Sequence, residues 1–249
     1  MMPQEKIETV LKALKANNFK PVEYVEKAAD AVPLILDMIP PDASIEMAGS
    51  TSVSQLGLMD LLRQRGNKGL DPPKLEDFTP EATRRPRKDI LLVSSNAVTL
   101  DGKLVNTDGM GNRVAGMIYG VKKVILLIGA NKIVRDVSEA LDRIQNVLAP
   151  YHAKHIGVDT PCAVTEVCTD CDSPWRICNI TTIISKKPPS VDFAIILVGE
   201  DLGLGWDPAW PQERIDKIKS AYRAEIEKHR IAMEEIRKKQ REERSAEQR

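Results

Sequence analysis

Apolar positions along this chain change their period several times, and each change marks an element. Between residues 5 and 17, Ile7, Val10, Leu11 and Leu14 recur at helical spacing. An extended piece at 21–25 follows, then a helical stretch at 26–39 that Pro33 is expected to kink or delay. Residues 44–48 read as a short buried strand, and Val53, Leu56, Leu61 and Leu62 as a helix reaching Arg65. The stretch 66–88 is rich in proline and charge and has no period, which predicts a surface loop.

Beyond it the pattern becomes that of a sheet. Continuous apolar runs at 90–93 and 124–128 are what strands buried on both faces look like. Each is followed by a helical stretch, at 110–119 and 133–148, and strand-like runs recur at 181–184 and 193–198. This alternation predicts an α/β fold with a mainly parallel sheet flanked by helices. From Gln212 onward the chain is charged and helical, with Ile215, Ile218, Tyr222, Ile226, His229, Met233 and Ile236 forming one apolar seam. Such a seam packs on its own domain or pairs two copies of the chain, and the first is favoured. The division expected is an α/β domain over residues 1–210 and a long C-terminal helix over 211–249.

Composition narrows the function classes. Apolar residues make up 42% and charged residues 29%, with zero formal net charge and only 4% aromatics. Nothing there supports nucleic-acid binding or attraction to an anionic membrane. No apolar run reaches the roughly 18 residues of a spanning helix, and the N-terminus lacks a signal peptide's apolar stretch. A cytoplasmic protein is expected.

Open parallel sheets bind ligands outside the carboxyl ends of their strands, and three polar loops fall there. Gly49, Ser50, Thr51 and Ser52 lie between a strand and a helix, where they either offer N–H groups to an anion or simply cap the helix. The second loop is richer: Asn96, then the hairpin-type turn Asp101-Gly102, then Asn106, Asp108, Gly109, Gly111, Asn112 and Arg113. Its glycines allow close backbone approach, and Asn112 and Arg113 suit a carboxylate or phosphate. In the third, Asn131 and Lys132 place a charge beside the same crevice. A small anionic ligand is the expected occupant.

The cysteines do not fit a packing role. Cys162, Cys168, Cys171 and Cys178 are the chain's four cysteines and share one 17-residue window, spaced C-x5-C-x2-C-x6-C. In a reducing compartment such a group holds metal rather than disulfides. Four thiolates suit one tetrahedral zinc or one iron–sulfur cluster. Zinc knuckles usually come as two close pairs, and here only Cys168 and Cys171 form one, so a [4Fe–4S] cluster is ranked first, zinc second and bare thiols last. His152 and His155 precede the group and read as surface histidines; His229 reads as a half-buried seam residue.

The stretches GSTSVSQLG at 49–57, NAVTLDGKLVNTDGMGNR at 96–113 and VILLIGANKIV at 124–134 resemble the LUD domain family, the group that includes the LutC-like lactate utilization proteins. The resemblance runs from about residue 5 to 206. It implies a fold similar to that of glucosamine-6-phosphate deaminase, ribose-5-phosphate isomerase and the CoA transferases, whose members bind sugar phosphates or CoA thioesters at the strand ends. It also implies a place in the oxidation of lactate or a related hydroxy acid, alongside redox partner subunits. An accessory or electron-transfer iron–sulfur protein is expected first, with a hydroxy acid, sugar phosphate or CoA-type ligand; the alternatives are an enzyme acting on a phosphorylated or CoA-linked small molecule and a zinc-stabilised binding or regulatory protein whose C-terminal helix recruits a partner. The cysteine segment at 161–179 and the C-terminal helix distinguish it from shorter LutC-like proteins. The wider superfamily uses a catalytic carboxylate, for which Asp101 and Asp108 are the nearest residues here.

Overall fold

The computed structural model describes residues 3–70 and 87–247. The elements run α1 (Pro3–Ala16), β1 (Val22–Val25), α2 (Ala28–Asp37), β2 (Ile45–Glu46), α3 (Thr51–Ser54), α4 (Leu58–Gln64), β3 (Ile90–Val93), β4 (Ala97–Thr99), β5 (Leu104–Asp108), α5 (Asn112–Ile118), β6 (Lys123–Gly129), β7 (Ile133–Val134), α6 (Val137–Arg143), α7 (Ala149–Ile156), α8 (Pro161–Thr165), β8 (Ile180–Ile184), β9 (Asp192–Val198) and α9 (Gln212–Glu247). Most of the loop expected at 66–88 lies outside the described residues.

Five strands form a wholly parallel sheet in the order β1-β9-β6-β3-β2. Alternation across each strand separates two cores. Leu91, Val93, Val124, Leu126, Ile128, Phe193, Ile195 and Leu197 face α1 and a second sheet. Ile90, Leu92, Ile125, Leu127, Ala194, Ile196 and Val198 face α2 and α4. Burial on both faces explains why these strands are uninterrupted apolar runs.

The second sheet, β7-β4-β5-β8, is mixed and was not foreseen as a unit. It grows from the expected hairpin: β4 and β5 pair antiparallel about the Asp101-Gly102 turn, β8 pairs antiparallel with β5, and β7 pairs parallel with β4. Gly102 has φ +78°, and a Cβ there would come within 2.8 Å of the α1 backbone at Ala13 and Leu14. Asn17 Nδ2 donates to the carbonyls of Asp101 (2.8 Å) and Gly102 (3.1 Å), tying the turn to the end of α1. The outer face of this sheet, through Ala97, Val105 and Val134, packs on α6, α7 and the start of α9.

Three expectations about elements need correction. The helix expected from residue 133 begins only at Val137, because Ile133 and Val134 are taken by β4 and Asp136 supplies the cap, accepting the Glu139 N–H at 2.9 Å. It then passes through a π-type turn at Ile144–Leu148 into α7. The helix expected from residue 53 is two short pieces, α3 and α4, broken where Gly57 turns left-handed at φ +64°. In the described part of the α9 seam, Ile215, Ile218 and Tyr222 are buried and Ile226 packs against them, while His229 is exposed rather than half-buried. Met233 and Ile236 fall outside the side chains described. Among the described residues no helix is long and apolar enough to cross a membrane.

Candidate functional site

All three polar loops open on one cavity of about 350 Å³, within the usual range for small-molecule sites. Its wall includes Gly49, Ser50, Thr51 and Ser52 from the first loop, Ser94, Ser95 and Asn96 after β3, and Thr107, Asp108, Gly109, Met110, Asn112 and Arg113 around the start of α5. Lys132 comes from the turn after β6. Ile144, Leu148, Ala149 and His152 close one side from the π-type turn and α7, and Ile177, Cys178, Leu204 and Tyr222 complete the wall.

Asn106, Gly111 and Asn131, expected at the ligand, are not among the lining residues. Asn106 is fully buried behind the wall, its Oδ1 accepting the Asn96 N–H at 3.0 Å. Gly111 begins α5 with φ +82°, and a Cβ there would stand 2.8 Å from Ile180 Cδ1. The Asn131 amide is spent on the 202–205 segment, with Oδ1 accepting from Leu202 N (2.9 Å) and Nδ2 donating to Gly205 O (3.0 Å). That clamp sets Leu204 and its carbonyl beside Lys132.

The cationic groups are held differently. Arg113 is locked: Nε and Nη2 bond Asp108 Oδ1 at 2.9 and 2.7 Å, and Nη2 also donates to Asn96 Oδ1 and the Thr107 carbonyl. Asp108 Oδ2 accepts the Val114 N–H at 3.0 Å, so this carboxylate is structural. Asp101, the other carboxylate considered, sits at the hairpin tip against Lys103 and is not on the wall. Lys132 is 4% exposed, and its Nζ donates to Leu204 O at 2.6 Å. Burial, then the charges of Arg113 and Arg143, brings it down to about 7.

Two features were missed in the sequence. His152 is no surface histidine; its Nδ1 is hydrogen-bonded to the Tyr222 hydroxyl on the cavity wall. Burial, with Arg113 and His155 adding to it, brings its pKa down to about 4, so it is neutral at physiological pH. Tyr222 reaches the site from α9, which the seam hinted at only as packing. Ser50 does stand at the start of α3 but makes no capping bond; its buried Oγ has no hydrogen-bond partner among the described residues. Buried hydroxyls are normally satisfied, so an unmatched one on a cavity wall points to an occupant.

The four cysteines line a second, adjoining pocket. Cys162, Cys168, Cys171 and Cys178 are all free and partly buried, and all line one pocket of about 10 Å³, roughly the room of one water. Gln145 Nε2 and the Asp170 N–H each approach Cys168 Sγ at 3.5 Å. Arg176 threads the segment, donating to Cys171 O at 2.6 Å and pairing with Asp170. Burial pushes the Cys178 thiol up, and the Arg176 guanidinium opposes it. Among the described residues no three His, Cys, Asp or Glu side chains are grouped as the ligands of one metal ion. The donor set itself, four thiols and one carboxylate already tied to Arg176, is chemically that of zinc or an iron–sulfur cluster. Ala149, Ile177 and Cys178 line both sites, so the pocket and the cavity share a wall.

These features define an α/β protein with a polar, net cationic cavity at its strand ends and a thiol-lined pocket beside it. The LUD domain model matches residues 7–198, and the chain belongs to the LUD domain family, a domain associated with lactate utilization proteins. A crystal structure of a DUF162 family protein from Deinococcus radiodurans is similar at 14% identity and a TM-score of 0.46, covering 80% of this chain and 99% of its own. No curated protein sequence matches the chain.

Proposed function

We propose that this protein binds a short hydroxy or oxo acid in the cavity and holds an iron–sulfur cluster on Cys162, Cys168, Cys171 and Cys178, acting as an accessory or electron-transfer subunit in oxidation of lactate or a related acid. One observation carries the reading: the four-thiol pocket and the cationic cavity share Ala149, Ile177 and Cys178. A cluster at that position would supply one-electron transfer when bound. The chain's own residues do the rest. Arg113 and Lys132 attract the anion, the Ser50 hydroxyl gives it a hydrogen bond, and Ile144, Leu148 and Leu204 exclude water from one side. Redox partner subunits would approach near the cysteine segment, where Trp175, Val164 and Val167 are exposed.

Calorimetric titration of the intact protein with L-lactate and pyruvate tests the ligand half. Saturable binding that weakens at least tenfold in Lys132→Met supports it; no heat with either acid removes it.

A second reading has its own support. The hydroxyl-rich floor of Ser50, Thr51, Ser52, Ser94 and Ser95 suits a phosphate group, which would make the protein an enzyme acting on a phosphorylated or CoA-linked molecule. Sugar phosphates and CoA esters in the same titration separate the two. Zinc on the same four cysteines is the alternative to a cluster within either reading.

A further inference from the structure

We infer that Lys132 is a carbonyl-reactive amine: the cavity takes a short 2-oxo acid with its carboxylate toward Arg113 and its keto carbon at Lys132 Nζ, joined reversibly as an imine. This rests on the small-acid reading above and specifies the oxidised member of the hydroxy/oxo pair.

The first support is isolation. Lys132 is buried on the cavity wall, and its Nζ has one hydrogen-bond partner among the described residues, the Leu204 carbonyl. A buried ammonium normally finds a carboxylate, and the one on this wall, Asp108, is already engaged by Arg113 and the Val114 N–H. The neighbours are instead cations. Arg143 is buried and bonds the Asn131 carbonyl at 2.7 Å, one residue before Lys132. A lysine desolvated beside other positive charges is the standard way to keep an amine neutral and nucleophilic. Burial, with Arg113 and Arg143, brings this one down to about 7, so a large share is unprotonated at neutral pH.

The second support is the anchor. Nε and Nη2 of Arg113 are used within the protein, while Nη1 makes no hydrogen bond among the described residues. That leaves one N–H edge for a carboxylate. The unmatched Ser50 hydroxyl is on the same wall.

The chemistry balances without any co-reactant. The Nζ lone pair forms an N–C bond to the keto carbon, and the carbonyl π pair moves to oxygen, which takes a proton. The carbinolamine then forms C=N as its C–O bond breaks, and the hydroxyl leaves with a proton as water. Over the sequence nitrogen gives up two protons and the oxygen takes both, leaving as water; the His152–Tyr222 pair lines the same wall. Water reverses the sequence. A 2-hydroxy acid has no keto carbon and binds without forming the imine.

The test is reductive trapping. Intact protein is incubated with pyruvate or glyoxylate and sodium cyanoborohydride, then weighed by mass spectrometry and mapped by peptide. The expected result is one reduced adduct per chain on the peptide carrying Lys132, saturating with oxo-acid concentration, absent with L-lactate and lost in Lys132→Arg. Adducts spread over exposed lysines, or none at Lys132, overturn the inference. Trapping with dihydroxyacetone phosphate but with neither oxo acid overturns the assignment of the carboxylate. L-Lactate binding measured by calorimetry in the same preparation separates the outcomes: binding without trapping leaves the small-acid site standing and removes the imine alone.

Discussion

Arg113 and Asp108 meet through a single carboxylate oxygen, with Nε at 2.9 Å and Nη2 at 2.7 Å from Oδ1, while Oδ2 receives the Val114 N–H in the first turn of α5. Both side chains are largely buried, at 15% and 8% exposure. The pair therefore fixes the cavity wall, the start of α5 and the guanidinium in one arrangement.

Removing one partner of such a pair leaves the other charged and buried. Arg113→Ala is expected to cost about 3–5 kcal/mol of stability, measured by urea unfolding. Adding Asp108→Asn should recover part of that loss, because the stranded charge is gone. A double variant as unstable as the sum of the two single ones would show that the groups are not coupled.

The half-buried His152 gives stability a pH dependence. His152 is lowered to about 4 in the folded protein, against about 6.5 when unfolded. Between those values the unfolded chain binds a proton that the folded one does not, so stability falls as pH drops from 6.5 to 4 and levels off below. His152→Asn should flatten that window in a series of thermal melts. An unchanged slope would assign the dependence to other groups.

Tyr222 makes the start of α9 part of the domain. It is 1% exposed and touches both the cavity and the Tyr151–Trp206 cluster. Tyr222→Ala is expected to cost about 3–5 kcal/mol, and ending the chain after Pro211 should prevent stable folding. Ending it after Lys228, beyond the buried contacts of Ile215, Ile218 and Tyr222, should change unfolding free energy by no more than about 0.5 kcal/mol. A truncation after Lys228 that unfolds the domain would mean the outer helix carries structure.

Gly129 ends β6 where the 202–205 segment crosses it. A Cβ there would lie 2.5 Å from Leu202 N, 2.6 Å from Asn131 Oδ1 and 2.9 Å from Glu200 O. Gly129→Ala should cost about 1–3 kcal/mol by overpacking and should loosen Lys132, whose partner Leu204 lies on that segment. Gly157→Ala, with open space around it but φ +71°, is the control for backbone strain alone.

The parallel sheet was legible because double-sided burial writes itself as apolar runs, as in 124–128. The hairpin was legible because Asp101-Gly102 is a turn with flanking apolar residues. The second sheet was not, since β7 is two residues long and merges with the apolar pattern of the following helix. In the site, the polar loops gave away Arg113 and Lys132 through position after buried strands. His152 and Tyr222 could not be read that way. They lie on helices with no motif, and only the packing of α9 against α7 brings them to the wall. Asn131 shows the opposite limit: a polar residue in a loop looked like a ligand group, but its amide is consumed holding its neighbour segment.

The central question is what the four thiols hold. Protein purified without oxygen and assayed for iron, acid-labile sulfide and zinc, with a visible spectrum before and after dithionite, decides it. The proposal predicts iron and sulfide in equal amounts and a brown absorbance that bleaches on reduction, both lost in Cys171→Ser. A colourless protein with one zinc per chain and no iron or sulfide would contradict it.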